Sequence, residues 1–153
     1  MPSRDLKIAK APLPEKYLWI ADRFKACVPG FRLIVTCTLR SVDEQRVAFR
    51  GGFSRLNPDD PAQKKRALHL PDASGLSRAV DVLPVENSTG LSIDTLLARG
   101  KVTKAYYDTI FSVLMLLVEA KGLRSGNDWN GDSVPVGPDP AESFVDAYHM
   151  EIT

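Results

Sequence analysis

FRLIVTCTL, the run from Phe31 to Leu39, is the stretch on which the reading of the fold turns. It is dense in β-branched side chains and follows the turn signal Pro29-Gly30, so it reads as a buried strand that delivers Arg40 and Ser41 at its end. Ser41 is a natural N-cap for a helix over Val42 to Phe49, and Glu44, three residues on, completes a capping box. Upstream, Lys16 to Cys27 repeats Leu18, Ile20, Ala21, Phe24 and Ala26 at roughly helical spacing before Pro29-Gly30 closes the helix. Downstream, Gly51 to Lys65 carries paired glycines, Asn57-Pro58 and Asp60-Pro61, the signature of a surface loop. A second strand is expected over Ala79 to Leu83. The longest helical pattern runs from Lys101 to Lys121, with Tyr106, Ile110, Val113, Leu114 and Leu117 on one stripe and Gly122 at its end, and it is expected to back the sheet. Arg124 to Glu142 is rich in Gly, Asp, Asn and Pro, and an extended pattern returns at His149 to Thr153.

The bulk numbers narrow the function classes. With 153 residues, 44% of them hydrophobic and 25% charged, the chain can bury a core as one domain spanning 1–153. Twenty Lys plus Arg against nineteen Asp plus Glu gives a formal charge of +1, too little field to hold a polyphosphate or an anionic membrane, so nucleic acid is not expected as a partner. Ile110 to Val118, the longest apolar run, is interrupted by Ser112 and falls far short of the roughly 20 residues that cross a bilayer. Met1 to Lys7 mixes charges and lacks the apolar stretch of a secretory signal, which leads to the expectation of a cytoplasmic protein. Cys27 and Cys37 do not form a disulfide framework and are expected to pack as small apolar groups.

The chain contains two histidines, so any histidine-based metal site must use His69, His149 or both. His69 precedes Asp81 by twelve residues in HLPDASGLSRAVD, where a Gly-containing loop feeds a short strand and lets both side chains reach one ion. His149 lies in DAYHMEI, three residues after Asp146 and two before Glu151, and an extended backbone puts Glu151 on its face. Nitrogen and oxygen ligands with a position left open to water are the usual arrangement of catalytic zinc, and a nearby carboxylate such as Asp146 can handle protons. Taken one at a time, the same residues are more simply read as packed or surface side chains.

Their order across four segments carries more weight. Thr38-Leu39-Arg40-Ser41-Val42-Asp43-Glu44-Gln45 resembles a Tyr-Arg-Ser/Thr-x-x-x-Gln signature, and Ala67-Leu68-His69 through Ala79-Val80-Asp81 is similar to a Ser-x-His … Gly … Ala-x-Asp zinc motif. Arg124-Ser125-Gly126-Asn127-Asp128-Trp129 resembles an Arg-x-Gly-Gly-Asp-Trp turn, and Asp146-Ala147-Tyr148-His149-Met150-Glu151 a closing Asp-x-x-His-Phe-Glu. Together, over about Phe31 to Thr153, they resemble the zinc peptidases of the D-Ala-D-Ala carboxypeptidase and L-Ala-D-Glu endopeptidase family, well represented among phage endolysins.

That resemblance implies an α+β fold, a small antiparallel sheet packed against helices with a zinc site on the sheet, like that of the D,D-peptidases and hedgehog domains. It implies Zn2+ on His69, Asp81 and His149, Asp146 as general base, and Arg40 as the cation steadying the oxyanion or the substrate. Ser41, Gln45 and Trp129 fall on its substrate-binding positions. The implied activity is hydrolysis of peptidoglycan stem peptide, L-Ala-D-Glu cleavage first, with D,D-carboxypeptidase action or a non-catalytic wall-binding role as alternatives. The implied setting is a monomeric phage or prophage lysin, made in the host cytoplasm and reaching the wall at lysis without membrane insertion.

The sequence departs from the family pattern in places. Ala67 replaces the usual Ser, and the spacing from His69 to Asp81 is longer than usual, so that Ser74 falls where an ungapped match places the histidine. Serine is a poor zinc ligand and His69 is the only upstream histidine, which favours an alignment that loops out the excess. Tyr148 and Met150 replace a Pro and an aromatic and are expected to tune the pocket. Asp128-Trp129-Asn130-Gly131-Asp132 alternates oxygen-bearing side chains as a calcium loop does, but its sixth position is Ser133 and its twelfth Asp139, where Gly and Glu belong, so a solvated turn is the expected state.

Overall fold

A computed structural model of the chain describes residues 1–135 and 146–153. Helix α1 (Leu13–Cys27) takes Pro14 in its first turn, where a missing N–H is harmless, and buries Leu13, Tyr17, Ile20 and Phe24. It starts three residues before the expected Lys16, and Leu18 lies off its buried row and faces outward, 61% exposed. Gly30, at a φ of +87°, then makes the turn into strand β1 (Phe31–Cys37). Helix α2 (Val42–Arg50) begins at the expected capping box: the Ser41 hydroxyl accepts from the Glu44 N–H, and the Glu44 carboxylate accepts from the Ser41 N–H.

The expected surface loop contains one short helix, α3 (Pro61–Lys64), capped by Asp60. Strand β2 (Ala79–Glu86) follows, then α4 (Ile93–Ala98), α5 (Lys104–Ala120), β3 (Leu123–Ser125) and β4 (His149–Ile152). On α5 the buried positions are Ile110, Phe111, Leu114, Met115 and Val118, while Tyr106 is 42% exposed, so the inner stripe is rotated from the expected one.

The four strands form one antiparallel sheet in the order β1-β2-β4-β3, which bears out the α+β expectation. Strand β2 runs through Pro84, although the sequence pattern stops it at Leu83. Val82 donates its N–H to Tyr148 on the β4 side, so Pro84, two residues on, turns its nitrogen the same way. Strand β4 pairs with β2 only from Ala79 to Asp81, so no ladder donor is lost at the proline.

One face of the sheet presents Phe31, Leu33, Val80, Val82, Leu123 and Met150 to α1, α4 and α5, and these make one continuous core. Each such large side chain, fully buried, contributes about 1.5–3 kcal/mol. The opposite face of β2 and β4 carries Asp81, His149 and Glu151, and it lies toward α2 and the segment 51–69. No helix among the described residues is long and apolar enough to cross a membrane.

Candidate metal centre

Strand register builds most of the site. Cys37 on β1 lies opposite Asp81 on β2, and Asp81 lies opposite His149 on β4, so three potential ligands stand in one row across the sheet. A register shift between Val35 and Cys37 bends β1 there, which re-aims the end of the strand toward the site. His69 enters from the connection before β2. Its carbonyl accepts from the Arg40 N–H and its Nδ1 bonds the Thr38 carbonyl at 2.8 Å, so the end of β1 holds both its backbone and its ring.

The hydrogen bonds decide which ring nitrogens are free to coordinate. A carbonyl only accepts, so His69 carries its proton on Nδ1 and turns a bare Nε2 toward Asp81. The Glu151 carboxylate accepts from His149 Nε2 at 2.8 Å, which leaves Nδ1 bare in the neutral ring. His69 Nε2, His149 Nδ1 and Asp81 Oδ1 then converge, at 2.9 Å, 3.0 Å and 3.2 Å from one another. Three electron-pair donors at that separation repel unless a proton or a cation sits among them. Donors about 2.0–2.1 Å from a tetrahedral zinc ion lie about 3.3 Å apart, so two nitrogens and one carboxylate oxygen fit that ion in kind and in spacing.

The electrostatics follow from the same contacts. Burial alone would raise the Asp81 carboxyl, but the two imidazoles beside it outweigh burial and hold it well below the usual carboxylate range. Burial works to lower His149; its hydrogen bonds to Asp81 and Glu151 prevail and carry it up to about 10. Without metal, a proton on His149 therefore takes the place of the cation. Asp146 shifts opposite to Asp81: burial, then repulsion from Asp81, pushes its carboxyl up. A donor atom from each of Asp81, Asp146 and His149 lies within 4.8 Å of the others.

The remaining expected site residues occupy different places. Arg40 donates Nη2 to Asp81 Oδ2 at 3.1 Å and Nη1 to Gln45 Oε1 at 3.3 Å. Gln45 is 1% exposed, and its Nε2 bonds Ser54 and the Leu56 carbonyl, so it ties α2 to the cleft wall. Ser41 is exposed in its cap and does not line the cleft. Trp129 does line it, its ring 5.5 Å from that of His149. Ser74 lies on an exposed turn bonded to Asp72, while His69 faces Asp81.

Several features were not read from the sequence. Cys37 is buried with Sγ 3.6 Å from His69 Nδ1, and Cys37, His69 and Asp81 form a second group that could hold a metal ion. Burial and the Asp81 charge raise its thiol to about 12, so a metal would first have to displace that proton. Cys27 is exposed, not packed, because it closes the last turn of α1. Tyr148 and Met150 do not face the pocket: strand alternation sends them to the core side, where Met150 is fully buried and the Tyr148 hydroxyl donates to Asp94. Gly126 is a contact point, since a Cβ there would meet the Asp146 carbonyl oxygen at 2.0 Å.

The acidic turn is held by its own backbone. Asp128 Oδ1 accepts from the Gly131 and Asp132 N–H groups and Oδ2 from Ser133, which takes a left-handed φ of +65°. Asp139, the twelfth position of the calcium pattern, lies outside the described residues. Glu119, near the end of α5, faces this turn; burial and then hydrogen bonding with Asp128 raise its carboxyl from 4.5 to about 7. A carboxyl that binds protons more tightly when folded stabilises fully below its unfolded pKa and loses that contribution as pH rises through the folded one. Thermal stability measured against pH is therefore expected to separate the wild type from Glu119→Gln. The variant keeps its stability as pH passes from 4.5 through about 7, and parallel curves would refute the assignment.

The site opens on a cleft of about 560 Å³, within the usual range for small-molecule and peptide pockets, with His69, His149 and Asp146 in its wall. The fold is that of a small antiparallel sheet backed by helices, with a cluster of side chains that could hold a metal ion on its open face. Among solved structures it is similar to the Serratia marcescens L-Ala D-Glu endopeptidase ChiX, with a TM-score of 0.51 at 18% identity over 100% of this chain and 89% of that one. At that identity the likeness is one of fold. Neither a protein-family model nor a curated protein matches the sequence.

Proposed function

We propose that this protein is a zinc-dependent peptidase of bacterial cell-wall peptide, cutting between L-Ala and D-Glu in the stem, and that it serves as a phage or prophage endolysin. The observation that carries the reading is the convergence of His69 Nε2, His149 Nδ1 and Asp81 Oδ1, each turned inward by a bond on its outer side. The fold shared with an L-Ala D-Glu endopeptidase supports the choice of substrate. Zinc bound there would polarise a substrate carbonyl and acidify water. Asp146, its carboxyl raised toward the working pH, takes the proton from the attacking water and passes it to the leaving amine. Glu151 sets the tautomer of His149 and, through its other oxygen, meets Arg124 at 3.3 Å. Arg40 has both terminal nitrogens engaged, so it acts first by holding Asp81, and it meets developing negative charge only on leaving one of those partners.

Digestion of purified peptidoglycan with and without chelator, followed by mass analysis of the new ends, tests the reading. New D-Glu amino termini that vanish with chelator are the expected result. Release of free D-Ala would make it a D,D-carboxypeptidase, and no cleavage by the zinc-loaded protein would leave a wall-binding module. Asp146→Ala is expected to keep metal by atomic absorption and to lose turnover by about 10²–10⁴. Undiminished turnover in that variant would remove Asp146 from the role of base.

A further inference from the structure

The cleft differs in charge from the rest of the chain. Arg40, Arg55, Lys65, Arg66 and Arg124 line it among the described residues. Among the described residues Asp146 and Glu151 are the acidic side chains in its lining, although the chain as a whole carries twenty cationic and nineteen acidic residues. The excess is local, so it reflects what the cleft faces and not a general basicity.

The cations divide by partner. Arg40 is bound to Asp81 and Arg124 to Glu151, so both are neutralised inside the site. Lys65 and Arg66, which follow α3, are exposed and make no ion pair among the described residues. Their backbone is held at the end of α3. The Lys65 N–H bonds the Pro61 carbonyl and the Arg66 N–H bonds that of Gln63, and Ala67 and Leu68 lead directly into His69. Two unneutralised cations thus stand on the cleft wall within four residues of a candidate ligand.

We infer that Lys65 and Arg66 bind a free carboxylate of the substrate, so that the cleft selects peptides bearing an acidic group beside the bond presented to the metal centre. This rests on the peptidase reading and makes it narrower. In a stem peptide the group of that chemistry is the α-carboxylate of the γ-linked D-Glu. Exposed charge contacts are weak individually, so removing each side chain is expected to weaken binding about threefold and removing both about tenfold, with the difference shrinking as salt is raised.

Calorimetry on the chelator-treated full chain tests this without turnover. The probe is L-Ala-γ-D-Glu-L-Lys amide, with the glutamyl α-carboxylate either free or amidated, together with an acidic peptide unrelated to the wall. The inference expects the free acid to bind about tenfold more tightly than the amidated peptide, and Lys65→Ala with Arg66→Ala to abolish that preference while leaving the melting temperature unchanged. Equal binding of the two forms by the wild type, or a preference that survives in the double variant, overturns it. If the unrelated acidic peptide binds as well as the stem peptide and loses affinity equally in the double variant, the carboxylate grip stands and the cell-wall reading falls. If the stem peptide alone binds, with no dependence on Lys65 or Arg66, the cell-wall reading stands and the grip falls.

Discussion

Asp81→Ala is expected to leave the purified protein without stoichiometric zinc and to lower its stability even in the absence of metal. The carboxylate is 8% exposed and is the hub of the site: Oδ1 meets His69 at 2.9 Å and His149 at 3.0 Å, and Oδ2 meets Arg40 at 3.1 Å. Removing it leaves a largely buried guanidinium without its carboxylate partner, and leaves His149 with Glu151 as its remaining carboxylate bond among the described residues. Truncating one partner of a buried charge cluster costs about 3–5 kcal/mol. For a domain of this size that lowers the melting temperature by roughly 10 °C. Asp81→Asn separates the two effects. The amide keeps the volume and can still accept from Arg40, so it is expected to recover part of the stability while losing most of the metal affinity. Metal content by atomic absorption and melting by circular dichroism would decide the matter, and zinc retained at one equivalent by both variants would show that the ion, if bound, sits elsewhere.

How much of this was legible beforehand depends on how local each determinant is. The capping box at Ser41 and Glu44 and the strand beginning at Phe31 depend on neighbouring residues, and both stand where the sequence puts them. The expected second strand, Ala79 to Leu83, stops one residue short of Pro84, which the observed strand includes. The proline is tolerated because β4 is too short to reach it, a fact of strand pairing that no local pattern contains. The exposed Leu18 has a similar origin, since packing against the sheet selects the row Leu13, Tyr17, Ile20 and Phe24 as the inner stripe of α1 and Leu18 lies off that row. His69, Asp81 and His149 stood out as the chain's two histidines and a carboxylate in motif-like segments, despite a His69-to-Asp81 spacing longer than the family's, and the fold brings them together. Cys37 gave no such signal. Its place beside Asp81 follows from the β1–β2 register, including an irregularity between Val35 and Cys37 that only the paired strands reveal. Glu151 was visible as a neighbour of His149, but its work, holding the far nitrogen of the ring, needs the three-dimensional contact to be seen. The misreading of Tyr148 and Met150 came from carrying a motif position over to a pocket-facing role, when strand alternation had already committed both to the core side once His149 faced out.

Gly126→Ala, which adds a single methyl group, is expected to act nearly as severely on activity as loss of a ligand. Gly126 donates its N–H to the His149 carbonyl at 2.8 Å and accepts at 2.9 Å from the N–H of Asp146, so its peptide units hold the segment that carries a ligand and the proposed base. An added Cβ would lie 2.0 Å from the Asp146 carbonyl oxygen and 3.0 Å from His149 Cβ, and the first of these contacts is with backbone that cannot rotate aside. Gly126 is not among the glycines of positive φ, so the effect is steric and not conformational. The fold should survive, because overpacking costs about 1–3 kcal/mol. The segment bearing Asp146 and His149 must move away from Gly126, however, and a displacement of about 1 Å at reacting groups costs about 10²-fold in rate. The expected outcome is a folded protein with weakened zinc affinity and cell-wall cleavage below about a hundredth of the wild-type rate. Ser125→Ala, one residue earlier, removes an atom from the same turn without placing one against Asp146, and serves as the comparison. If Gly126→Ala matched the wild type in both zinc content and cleavage, the close approach of the Gly126 and Asp146 backbones would not be what sets the geometry of the site.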